Sequence, residues 1–350
     1  MKVKFLDLQK QTKCVRQAVE RNFIEIIDTS SFIGGKFVRR FEEDFAEYCG
    51  VKYCVATNSG TSALHVALLT SLVDDEIYGL TPPNSFFATT EAIFHAKRIP
   101  SFCDVDDTAN IDKERRMGLY NFALPVSLYG NPADLGQFEN RTIVHDAAQA
   151  HGALIGGEQI SKFAKTTCFS FYAGKNLGAW GEGGCLVTDS KEVCDCARQL
   201  INHGQSEKYI HEEIGFNYRM SEFSAASLSP KLKLIDEWND ARIEIARRYE
   251  KNLKGKVKLL DVKHGNKCVW HIYPVFIEER NRVRAKLGEE GIETGLHYPR
   301  LISDSLGYNS EYFPHARRLS EAELSLPMHP FLLDDEIDYV SEKLLGFVKK

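Results

Sequence analysis

The chain has 350 residues, 43% of them hydrophobic, and carries a net charge of −5. That size suits one large core and a second, smaller one. The acidic balance argues against a nucleic-acid binder, which concentrates Lys and Arg on one face. The apolar runs are too short to cross a bilayer. The start, Met1-Lys2-Val3-Lys4, is charged at once and unlike a signal peptide. A cytoplasmic protein with no nucleic-acid or membrane partner is therefore expected. Nine cysteines, with no Cys-x-x-Cys pair, read as small buried hydrophobes rather than metal ligands.

Taken in order, the elements alternate between strand and helix, the rhythm of an α/β fold with a mainly parallel sheet. Phe41, Phe45 and Tyr48 share one helical face, and Gly50 is placed to end that helix. Residues 53–56 read as a strand. Thr61 to Leu72 reads as a helix apolar almost all round, hence buried. Between them lies Asn58-Ser59-Gly60-Thr61-Ser62. A helix start offers free N–H groups and the positive end of the dipole. Gly60 admits a ligand close to the backbone, and Ser59, Thr61 and Ser62 add hydroxyls. That makes a phosphate cradle, although an ordinary helix cap would look the same.

Pro82-Pro83 fixes an extended approach, and Phe86 follows before a helix. Phe86 could stack on a planar ring or simply belong to the core. Further strands are expected at 122–128, 142–144, 168–172 and 185–187. The strand at 142–144 leads into His145-Asp146-Ala147-Ala148-Gln149. Asp146 thus stands where open α/β sheets place their ligands. It could pair with a protonated ring nitrogen or cap the next helix, and Gln149 could donate to a ring oxygen. His145 and His151 read as core histidines.

Lys175 lies in Ser170-Phe171-Tyr172-Ala173-Gly174-Lys175-Asn176-Leu177-Gly178, between aromatics and glycines. A lysine in an apolar pocket can lose its proton near neutral pH and attack a carbonyl. Its usual partner is the aldehyde of pyridoxal phosphate, with Ser170 near the phosphate. The bland alternative is a glycine-rich turn carrying an exposed lysine. Gly178, Gly181, Gly183 and Gly184 imply a turn close to a ligand or another backbone. A long amphipathic helix is expected at 231–253, then apolar alternation at 269–277. A boundary near Pro230 to Trp238 would divide a large unit, residues 1–235, from a small one, residues 236–350.

These segments together resemble the DegT/DnrJ/EryC1/StrS nucleotide-sugar aminotransferases. The likeness continues through Asn202-His203-Gly204, Gly215-Phe216-Asn217-Tyr218-Arg219-Met220, His297-Tyr298-Pro299 and Leu324-Ser325-Leu326-Pro327. It implies the aspartate-aminotransferase-like fold, fold type I, with a large mixed, mostly parallel sheet flanked by helices and a smaller α+β C-terminal domain. It implies pyridoxal 5'-phosphate as cofactor, no metal, glutamate as amino donor and a homodimer with shared active sites. By motif, Lys175 would be the Schiff-base lysine and Asp146 the partner of the ring nitrogen. Gln149 would meet the ring hydroxyl, Phe86 the ring face, and Ser59, Gly60, Thr61 and Ser170 the phosphate. Asn217 would reach the neighbouring subunit's cofactor, and His297 and Tyr298 the sugar nucleotide. Lys175 argues against the branch that places histidine there and dehydrates its substrate.

The ketone is read less directly. Seven residues separate Lys175 from Gly183. With Gly174, Asn176-Leu177-Gly178 and His297-Tyr298-Pro299, that spacing resembles members that aminate a 3-keto sugar. Asn217 to Phe223 resembles instead members that aminate a 4-keto-6-deoxy sugar, and Ala173 stands where the 3-keto members often carry proline. The 3-keto reading is favoured. A non-catalytic relative and another fold type I enzyme are the alternatives of different class. The nucleotide, UDP or dTDP, is not legible.

Overall fold

The computed structural model describes residues 1–138 and 140–348. Its largest element is a sheet of eight strands. In chain order these are β1 (Tyr53–Thr57), β2 (Tyr78–Thr81), β3 (Ile99–Val105), β4 (Ile111–Arg116), β5 (Phe122–Ala123), β6 (Thr142–Asp146), β7 (Thr166–Ser170) and β8 (Gly184–Thr188). Across the sheet they run β1-β8-β7-β6-β5-β2-β3-β4. The four central pairings are parallel. The strands at the two edges, and β8, are antiparallel to their neighbours. The sheet is therefore mixed and mostly parallel, as expected.

Helices cover both faces, which is why the central strands are apolar without alternation. On one face α2 (Lys36–Cys49) and α6 (Glu222–Leu232) pack Phe41, Phe45 and Leu228 against Phe169 and Phe171. On the other, α3 (Gly60–Ser71) and α5 (Lys191–Leu200) bury Leu64, Leu68 and Val193 against Phe122 and Leu186. Helix α3 has no polar stripe because the sheet, α4 (Phe87–His95) and α5 enclose it. Seven of the cysteines are buried and none is in a disulfide among the described residues.

A second, antiparallel sheet follows: β9 (Lys258–Leu259), β10 (Tyr273–Phe276) and β11 (Glu323–Leu326). Its core joins Val275, Leu324 and Leu326 to Tyr249 of α7 (Ile235–Leu253), Val283 of α8 (Arg280–Glu289) and Val340 of α9 (Asp334–Phe347). Val3 belongs to this core too and bridges to Ile292.

Three expectations are corrected. The strand foreseen at 122–128 is regular only at Phe122 and Ala123, with one further bridge from Val126 to Asp146. Pro125 has no N–H to give the ladder, and the chain then turns into a short 3-10 segment at Leu128–Gly130. The helix foreseen at 231–253 starts later, at Ile235: residues 231–232 end α6, which lies on the large sheet, and α7 reaches the second core. The alternation at 269–277 forms a strand only over Tyr273–Phe276.

Candidate active site

The register of the large sheet builds the site. Thr57 of β1 lies beside Gly184 of β8, which lies beside Ser170 of β7. Asp146, at the end of β6, pairs with Cys168 two residues earlier on β7. The loops leaving this row, with α3, surround a cleft of about 540 Å³. A larger crevice of about 1010 Å³ runs along α7, far from these residues and lined by surface charges such as Asp240, Glu244 and Arg247. Size alone does not pick the site, and the smaller cleft holds the chemistry.

One end of the cleft is the start of α3. Ser59 is its N-cap and accepts from the Ser62 N–H at 3.1 Å. Ser62 Oγ donates to Asn58 Oδ1 at 2.6 Å. The N–H groups of Gly60 and Thr61 have no acceptor among the described residues. A Cβ at Gly60 would stand 2.7 Å from the Cβ of Ser170, and one at Gly184 would stand 2.3 Å from the carbonyl carbon of Ser59. Glycine at both positions is what lets three chain segments close into a cradle. Free N–H groups, hydroxyls and a helix dipole suit a phosphate.

Asp146 forms the floor. It is buried, with Oδ2 accepting from Thr89 Oγ1 at 2.7 Å and Oδ1 from the Ala148 N–H at 3.1 Å. Burial pushes its pKa up, against the pull of those two donors and of Lys175. A cationic ring nitrogen beside it would hold it ionised. Lys175 is half-buried, and its amine has no hydrogen-bond partner among the described residues. Burial lowers its pKa to about 8, with the charge of Asp146 acting the other way. Burial thus favours the neutral form of both groups, and the charge of each opposes that effect on the other.

Gln149 is oriented by its neighbours. Its Oε1 accepts from the Tyr129 N–H at 2.6 Å, so its Nε2 is the end that donates, to Tyr298 Oη at 3.2 Å. Phe86 precedes α4 and is 57% exposed, with its ring centroid 5.5 Å from that of Tyr298. His297 stacks on Phe5 at 5.7 Å, and Phe5 and Leu6 also line the cleft. Asn217 lies outside the cleft, exposed, with Oδ1 accepting from Arg219 at 2.8 Å. His145 is a hydrogen-bonded core residue, its Nε2 at 2.8 Å from Ser127 Oγ. His151 is equally buried, but neither ring nitrogen has a partner.

The structure therefore gathers Ser59, Gly60, Thr61, Phe86, Asp146, Gln149, Ser170, Lys175, His297 and Tyr298 around one cleft, and leaves Asn217 apart. Sequence reading missed Thr89, His271, Phe5 and Leu6 there. Thr89 had a faint signal, one turn into a helix that follows Pro-Pro. The other three arrive through long-range contacts that carry no local signature.

A large mixed sheet with a lysine and an aspartate at its ligand-binding edge defines an aminotransferase-type enzyme of fold type I. The sequence pattern of the DegT/DnrJ/EryC1/StrS aminotransferase family matches residues 13–345, and the chain belongs to that family. It is 34% identical to the dTDP-3-amino-3,4,6-trideoxy-alpha-D-glucose transaminase of Streptomyces venezuelae, over 95% of this chain and 92% of that one. The crystal structure of S. venezuelae DesV in complex with a ketimine intermediate superposes with a TM-score of 0.94 at 31% identity, covering 100% and 99% of the two chains. NtdA from Bacillus subtilis, solved with its cofactor PMP, gives 0.88 at 28% identity over 99% of this chain and 85% of that one. The family depends on pyridoxal phosphate, of which PMP is the amine form. Among the described residues no helix is long and apolar enough to cross a membrane, and no cluster could hold a metal ion.

Proposed function

We propose that this enzyme moves the amino group of glutamate to the keto carbon of a nucleotide-linked keto-deoxysugar, with a 3-keto-6-deoxyhexose on dTDP or UDP favoured. The observation that carries the reading is the buried carboxylate of Asp146 sharing one cleft with the lowered-pKa amine of Lys175. The 3-keto position is supported by the name of the S. venezuelae relative and by the spacing from Lys175 to Gly183.

Pyridoxal phosphate, when bound, supplies an aldehyde that takes up an amine and a ring that accepts the electron pair left when a proton leaves carbon. This chain's residues do the rest. Lys175 would hold the aldehyde, and its amine, whose pKa burial lowers to about 8, would carry the proton. Asp146 keeps the ring nitrogen protonated, and Thr89 and Ala148 hold its two oxygens. With its Oε1 held by the Tyr129 N–H, Gln149 would offer Nε2 to the ring oxygen. Ser59, Gly60, Thr61 and Ser170 take the phosphate, and Phe86 covers the ring. His297 and Tyr298 meet the sugar. Asn217 turns outward to a second copy's cofactor in a homodimer. Residues 1–235 act as the cofactor-binding unit and residues 236–350 as a smaller C-terminal unit, whose core also takes in Val3.

The test is a panel of 3-keto and 4-keto sugars on dTDP and UDP with glutamate, the amino sugar being identified by NMR. A 3-amino product is expected. Lys175→Ala should abolish turnover and the visible band of the bound cofactor, and normal turnover by that variant would refute the reading.

A further inference from the structure

Glu323, at the start of β11, has no solvent exposure, and both its oxygens accept hydrogen bonds. Oε2 takes the backbone N–H of His297 at 2.7 Å, a donor that cannot reverse. Oε1 takes the hydroxyl of Ser325, which is fully buried as well. Ser325 Oγ also lies 2.7 Å from Nδ1 of His297. With its proton committed to Glu323, that oxygen has only lone pairs left, so Nδ1 must carry the hydrogen. The imidazole is neutral, because burial and then the Lys175 charge lower its pKa to about 4. Its other nitrogen, Nε2, therefore keeps a bare lone pair, and it has no hydrogen bond among the described residues.

We infer that Glu323, Ser325 and His297 form a proton relay that makes Nε2 of His297 a base facing the cleft. The inference rests on the proposal that His297 meets the substrate. A proton leaving a sugar hydroxyl or the ammonium of the incoming amino donor bonds to Nε2. The Nδ1–H bond breaks as its proton passes to Ser325 Oγ, and the serine's own proton passes to Glu323 Oε1. Histidine and serine end neutral, the glutamate ends as a carboxylic acid, and no imidazolium is ever buried. Burial lifts the Glu323 pKa to about 7, which suits that end of the chain. The charged and titratable groups facing the relay are Arg280, Lys175, His271, Tyr129 and Tyr298. Arg280, on α8, donates to the Glu323 carbonyl at 3.1 Å and favours the ionised acid. Glu323 and Ser325 are positioning residues, since neither lines the cleft.

The test is the tautomer of His297 in the cofactor-loaded enzyme labelled with 15N-histidine, its signals assigned by their loss in His297→Asn. At pH 8.5 the wild type should carry hydrogen on Nδ1, and the form with hydrogen on Nε2 should grow in as pH falls through about 7. Glu323→Gln reverses the relay without changing its shape. The amide oxygen must keep the His297 N–H, so the amide nitrogen donates to Ser325, the serine donates to Nδ1, and the hydrogen moves to Nε2 at every pH. Glu323→Gln should also lower kcat by about 10-fold or more with KM little changed, and remove the ascending limb of the pH–rate profile near 7. Hydrogen on Nε2 in the wild type at pH 8.5, an unreversed tautomer in Glu323→Gln, or an unaltered rate profile would each overturn the relay. If Glu323→Gln does not fold, Ser325→Ala should yield a mixture of tautomers, and retention of the wild-type form would overturn it equally. Should no keto-sugar nucleotide be turned over, the functional reading fails while the tautomers still decide the relay.

Discussion

At the scale of single residues, the chemistry depends on what is withheld from each group. Lys175 has no hydrogen-bond partner among the described residues, Asp146 is buried, and Gly60 has no side chain. The last makes a direct prediction. A methyl at Gly60 would meet the Ser170 side chain at 2.7 Å and its Cα at 3.2 Å, forcing the two halves of the cradle apart. Gly60→Ala should weaken cofactor binding by about 10-fold, or about 1.4 kcal/mol, measured by absorbance titration of the apoenzyme. Unchanged affinity would mean that the phosphate sits elsewhere. These residues were legible in the sequence because each is delivered by a short local pattern: strand end then Asp, helix start with Ser-Gly-Thr, aromatics before a lysine. Thr89 was so only faintly, and His271, Phe5 and Leu6 were not. What places them is packing between segments far apart in the chain.

At the scale of elements, local pattern gave the type of most segments and failed where one residue or a change of neighbour ended them. Pro125 cut a strand that apolar content alone extended to residue 128. The break between α6 and α7 followed from two different surfaces to cover rather than from periodicity, which runs on through it. A further element-level device lies at the start of α2. Its first N–H groups are satisfied by a carboxylate from another helix: Glu222, with no solvent exposure, accepts from Gly35 at 2.9 Å, Phe37 at 2.9 Å and Val38 at 3.1 Å. The negative charge also meets the positive end of the α2 dipole. Removing it leaves two buried donors and one partly buried one without acceptors, so Glu222→Ala should destabilise the fold by about 3 kcal/mol. Urea denaturation measures this, and a change below about 1 kcal/mol would show that water replaces the carboxylate.

At the scale of the whole molecule, the buried histidines set the response to acid. Burial lowers the pKa of His145 and of His151 to about 3, from an ordinary 6.5. A depressed folded-state pKa means that the unfolded chain binds more protons. The stability these groups contribute is present above pH 6.5 and is lost as pH falls toward 3. Each such histidine costs about 1.4 kcal/mol per pH unit across that window. The Glu323 carboxyl, raised to about 7, acts oppositely: its contribution is present below pH 4.5 and is lost as pH rises through 7. His297 and His329, each lowered to about 4, and His271, lowered well below its ordinary value, act the same way, so the histidines outweigh the glutamate and leave a net loss on acidification from pH 6 to pH 5. The melting temperature should therefore fall over that range, and His151→Leu, between Phe169 and Phe171, should flatten the slope. An unchanged slope in that variant would place the acid sensitivity in other groups. The doubly covered mixed sheet was legible from the strand–helix rhythm. The route of the N-terminus was not, because nothing in Val3, Phe5 or Leu6 announces a partner about three hundred residues away.

That route has a practical side. Val3 is fastened beside Ile292, Phe5 lies flat on His297, and Leu6 forms part of the cleft wall. The opening residues of the polypeptide are thus masonry of the catalytic chamber rather than a loose end. Nicking the backbone after Leu6 would breach that chamber from behind and free the Phe5 ring from the imidazole it supports.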